Sequence, residues 1–160
     1  MSQSYARFGA FRIAFLITLV LLVIQYVLGM IANLEVQFPG NLPDGNAWGW
    51  VWSHSLIIQL HIYTGTLLLV VALVALILSM VARHIVGMIT AAAGLALIIF
   101  AWLSGAEFLA RSQQNDLSLR MALGFMGAFV AYILGYYLSR SLYRKHPHDA
   151  KTNRDSLIIR

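Results

Sequence analysis

A chain of 160 residues, 60% hydrophobic and only 11% charged, holds more apolar side chain than one soluble core of that size can bury, which excludes an ordinary soluble domain and points to a bilayer. Its net charge of +5 comes without interleaved basic and aromatic residues, so anionic lipid headgroups are the expected counterpart and nucleic acid is not. The absence of cysteine excludes disulfides, thiolate metal centres, iron–sulfur clusters and covalently attached c-type haem.

Apolar runs long enough for a hydrocarbon core of about 30 Å fall at about 11–34, 55–81, 85–105 and 120–140. They predict an all-α integral membrane protein: a four-helix up-and-down bundle in a single domain, 1–142, followed by a basic tail, 143–160. The first run is too long for a signal peptide and lacks a small-residue cleavage site before NLEVQFP, so it is expected to stay as a helix. Arg7, Arg12, Arg83, Arg140, Arg144, Lys145, Lys151, Arg154 and Arg160 fall on one side of this topology, and only Arg111 and Arg120 on the other. The positive-inside rule therefore predicts both termini in the cytoplasm.

The first span carries Gln25, Tyr26, Gly29, Met30 and Asn33 in its outer half. The loop after it has its turn residues in Pro39, Gly40, Pro43, Asp44 and Gly45, then Trp48, Trp50 and Trp52 at alternate positions, a pattern expected of an interfacial aromatic belt. Spans two and three are joined so briefly, through Ala82, Arg83 and His84, that they must be antiparallel neighbours. Glu107 and Asp116 are expected to pair with Arg111 or Arg120, and Asn115 or Asp116 to cap the fourth helix. Gly87 with Ala91, Gly124 with Ala128 and Ala131 with Gly135 have the spacing that lets helices approach closely in lipid. The charged, aperiodic tail is expected to be partly disordered.

His61 is the feature that points to function. An ionisable side chain in a span costs roughly 2.5–3.5 kcal/mol if charged, so a functional reading attaches to it by default. His54, His61, Gly65, Leu68 and Ala72 fall on one helical stripe, by spacings of seven, four, three and four, and Gly65 opens a gap one turn below the imidazole. One reading is an axial ligand to b-type haem, with a flat ring accepted over Gly65. The structural alternative is that Gly65 only permits close packing while His61 bonds Gln25, Asn33 or a backbone carbonyl. Two histidines seven residues apart rise by about 10 Å and cannot clamp one iron, so a second ligand must come from elsewhere. Met126, Met121 and Met30 lie at comparable depth, and a homodimer offering His61 from both copies to one iron is a further arrangement. His54 reads as an interfacial residue or as a contact for a propionate, copper or a quinone head. His84 reads as a connection residue, and His146 and His148 as a poor metal site.

The segment QLHIYTGTLLLVVAL within a four-helix unit resembles one half of the haem A synthase family, whose helices carry axial histidines toward the outer side of the membrane. Gln59 and Leu60 stand before His61 and Ile62 after it, where that family has a glutamate and an arginine, and Arg120, Met121 and Met126 stand where it would present another histidine. The resemblance therefore implies a haem b site rather than haem A synthesis, with electron transfer to or from quinol, or haem handling, in a bacterial plasma membrane. The chain is also similar to small bacterial four-span proteins. The rival expectation is a cofactor-free accessory or assembly subunit of a larger membrane complex, such as a respiratory one. A transporter is disfavoured because no paired intramembrane charges or broken spans are evident. No reading requires the chain to be an enzyme.

Overall fold

In a computed structural model of the chain, the backbone is described for residues 2–111 and 113–158, and the side chains for residues 9–42, 44–111 and 113–139. The helices are α1 (Ser2–Glu35), α2 (Trp48–His54), α3 (Leu56–Val81), α4 (Ile85–Ala110) and α5 (Asn115–Ile158), with a 3-10 turn at Pro43–Gly45. No strand occurs among the described residues. Among the described residues, four segments are long and apolar enough to cross a membrane: Gly9–Glu35, Leu56–Val81, Ile85–Ala110 and Asn115–Ser139.

These match the four apolar runs, with two boundaries moved. α4 ends at Ala110 rather than near residue 105, and α5 begins at Asn115 rather than near residue 120. Helix outlasts apolarity there because polar turns add i,i+4 pairs: Arg111 to Glu107 at 3.1 Å and Arg120 to Asp116 at 3.2 Å. The expected pairings thus form, while Asp116 lies inside the first turn of α5 rather than capping it. Helix α5 also continues to Ile158 where a partly disordered tail was expected. The tail side chains, His146 and His148 included, lie outside the described residues.

The helices close a ring, α1 on α3, α3 on α4, α4 on α5 and α5 back on α1. The turn between α3 and α4 is tight enough to put Arg83 at φ 52°, in the left-handed region. His84 then caps α4, its Nδ1 accepting the Gly87 N–H at 2.9 Å, and stacks on Phe11 of α1 at 5.4 Å. Small residues govern the interior, as their spacing suggested: Ala72 and Ala75 of α3, Gly87, Ala91 and Gly94 of α4, and Gly124, Ala128 and Gly135 of α5 are buried. The Tyr132 ring lies on Gly94, the Phe15 ring on Gly135, and the backbone of α4 at Leu97 on Gly124. Where helices pack in lipid, with no hydrophobic drive between them, close contact of this kind is what holds them together. Outward, Ile13, Leu16, Leu67, Val70, Ile89, Leu103, Leu123 and Leu134 are exposed, a surface suited to acyl chains.

The end of the bundle that carries α2 is covered by a second apolar cluster, in which Ala47, Val51, Ile58 and Leu109 are buried with Val36, Phe38, Trp48 and Trp50 packed against them. The cap is fastened by the Ala47 N–H to the Leu109 carbonyl (2.8 Å), by the Gln113 amide to the Gly45 carbonyl (3.0 Å), and by the Gln59 amide to the carbonyls of Val51 (3.0 Å) and Trp52 (3.1 Å). Only Trp52 of the three tryptophans is exposed; Trp48 and Trp50 serve the cap, because α2 turns their alternation into helical spacing.

Candidate functional site in the seam between α1 and α3

Gln25 of α1 and His61 of α3 meet inside the bundle. The Gln25 Nε2 is 3.0 Å from the His61 Nε2 and donates to the His61 carbonyl at 3.1 Å. An amide nitrogen carries two hydrogens and so serves both acceptors, whereas an amide oxygen there would face the carbonyl without a hydrogen between them. The His61 Nε2 is therefore an acceptor, and the neutral ring carries its hydrogen on Nδ1. That Nδ1 and the Gln25 Oε1 are buried without a hydrogen-bond partner.

Each polar side chain lies over a glycine of the opposite helix. A Cβ on Gly65 would stand 3.0 Å from the Gln25 Nε2, and one on Gly29 would stand 3.1 Å from the His61 Cε1. Gln25 with Gly29 and His61 with Gly65 are both i,i+4 pairs, so two antiparallel helices present matching faces, and each glycine clears room for the other helix's long side chain. The sequence reading found Gly65 but missed this use of Gly29. The repeated spacing of a hydrogen-bonding residue four positions before glycine was the available signal.

The other expected site residues do not gather at His61. His54 belongs to α2, and the helix breaks at Ser55 (φ −132°, ψ 92°), whose hydroxyl accepts the Ile58 N–H to cap α3. The single stripe joining His54 to His61 is thereby corrected: the serine hydroxyl starts a new helix and resets the register. His54 is exposed, its ring parallel to Trp50 at 5.5 Å and its Nδ1 3.1 Å from the Trp50 carbonyl. Met126 is 57% exposed and Met30 41%, both on outward positions. Met121 instead packs its sulfur near Gly105 of α4. Leu68 and Ala72, further along α3, are core residues.

In the arrangement described, the seam is occupied by the Gln25–His61 pair itself. The nitrogen that would reach iron is taken by the Gln25 amide, and the space over Gly65 is filled by the same group. Among the described residues no group of three or more His, Asp or Glu is placed to hold a metal ion. What the node does is hold helices: a polar pair turned into the bundle, of a kind worth about 0.6–2 kcal/mol where helices associate in lipid. At the opposite end Arg12 lies over the Tyr136 ring, 5.0 Å from its centroid, joining α1 to α5. Comparison of the chain with protein-family models, curated proteins and solved structures gives no match.

Proposed function

We propose that this chain is a small polytopic membrane protein serving as a cofactor-free accessory or assembly subunit of a larger membrane complex. Both termini face the cytoplasm of a bacterial plasma membrane, and a respiratory complex is the class of partner that suits it. The observation that supports this reading most is the reciprocal packing of Gln25 over Gly65 and His61 over Gly29. It gives the imidazole within the spans a helix-pairing role, which leaves the outward apolar faces and the cap as the surfaces through which the protein acts. The test is isolation of the full chain from native membranes in a mild detergent, followed by cross-linking and mass spectrometry. Other membrane subunits should accompany it in fixed stoichiometry; a lone, monodisperse chain would overturn the reading.

Haem b ligated by His61 is the second reading. It is favoured by the two unpartnered polar atoms at the node, Nδ1 of His61 and Oε1 of Gln25, and it requires the Gln25 amide to leave Nε2. Its partner would be quinol or a homo-oligomeric copy. An absorption spectrum of protein from haem-replete cells separates the two readings. A Soret band that disappears in His61→Ala and survives His84→Ala would establish haem and displace the accessory role, whereas a colourless preparation rules it out.

A further inference from the structure

Away from the His61 node, the α2 end carries a niche of about 540 Å3, within the size of small-molecule sites. It is lined by Glu35 at the end of α1 and Gln37 just after it, Trp50 and His54 of α2, and Leu56 and Ile57 at the start of α3. Its electrostatics are one-sided. Among the described residues, the arginines of this end are each held by another carboxylate, Arg111 by Glu107 and Arg120 by Asp116, so Glu35 has no cationic partner. No lining residue is Lys or Arg.

His54 adds an acceptor. Because a carbonyl can only accept, the contact between His54 Nδ1 and the Trp50 carbonyl puts the hydrogen of the neutral ring on Nδ1 and leaves a lone pair on Nε2. Parallel stacking on Trp50 fixes the plane in which that lone pair points. Below the polar groups, Leu56 is 68% exposed at the apolar start of α3. A ligand suited to this niche thus has a cationic, N–H-bearing end and an apolar body.

We propose that the niche binds the protonated primary amine of an ethanolamine phospholipid headgroup. Glu35 balances the charge, His54 Nε2 accepts an N–H, the phosphate stays at the water-facing mouth, and the acyl chains run past Leu56 and Ile57. The site is independent of the accessory role and of haem.

The test uses the full chain in nanodiscs of phosphatidylglycerol doped with either phosphatidylethanolamine or phosphatidylcholine, with retained lipid counted by native mass spectrometry. Phosphatidylethanolamine should be retained roughly tenfold better than phosphatidylcholine, whose quaternary nitrogen has no N–H. Glu35→Gln should abolish the preference with unchanged thermal stability, and His54→Phe, which keeps the stack, should reduce it. Free ethanolamine at millimolar concentration distinguishes the sources: if it competes, the amine alone suffices, and if not, the lipid form is needed; both uphold the site. Equal retention of the two lipids, or an undiminished preference in Glu35→Gln, would overturn it.

Discussion

Truncating Gln25 while leaving His61 in place strands the imidazole acceptor, whereas the His61 carbonyl keeps its partner within α3. A buried polar group left without its partner costs about 1–3 kcal/mol, more than the pair contributes when intact. Gln25→Leu should therefore destabilise the bundle more than the double variant Gln25→Leu/His61→Leu, as read from reversible unfolding in mixed micelles. A double-mutant cycle with zero coupling would remove the node from the account. A different histidine sets a pH dependence. Burial holds the His84 pKa below its usual 6.5, since desolvation disfavours the cation. The neutral ring accepts the Gly87 N–H, so the contribution is complete above about pH 6.5 and is lost as pH falls through the lower, folded-state pKa. Replacing it by asparagine, a good cap that does not titrate in this range, should flatten the pH 5–8 stability profile relative to the parent. Of these residues, His61 and its glutamine partner were both readable from the chain, because polar groups in an apolar span must find each other. The glycine beneath each was only half readable, because the register of two antiparallel helices is not written in either helix alone.

At the scale of elements, glycines that look equivalent in sequence differ by what faces them. A Cβ on Gly124 would sit 2.9 Å from the Leu97 carbonyl oxygen, a backbone atom fixed within α4. One on Gly105 would sit 3.1 Å from the Met121 sulfur, the mobile end of a flexible side chain. Gly124→Ala is expected to cost about 1–3 kcal/mol through forced separation of α4 and α5, and Gly105→Ala under about 1 kcal/mol; thermal melts of the two variants in one detergent check the contrast. Arg83→Gly should be neutral to mildly stabilising, by up to about 1 kcal/mol, since it relieves a left-handed residue in the α3–α4 turn. The spans themselves were legible because apolar length is a direct requirement of the bilayer. Helix α2 was not, since tryptophans at alternate positions read equally as a belt, and only Ser55 as a helix cap marked the break.

For the molecule as a whole, polar and apolar contacts divide the work unevenly. The pairs Glu107–Arg111 and Asp116–Arg120 are solvent-exposed, and Glu107→Gln should change stability by less than about 0.5 kcal/mol, a difference that vanishes in high salt. The ring of four helices depends instead on close contact along small residues and on the cap that closes one end. That cap joins distant parts of the chain: Gly45 is bonded by Gln113, and Ala47 by Leu109. Seen in the time of synthesis, this connection imposes an order. At roughly 5–20 residues per second, α2 waits several seconds after its own translation before the end of α4 arrives to receive it. During that interval Trp48 and Trp50 have no finished surface to pack on, and a chain halted before Leu109 would leave them open to the membrane's proteases and chaperones. Completion of the third span's approach, rather than insertion of the first, is then the step at which this protein passes from a translation product to a folded one.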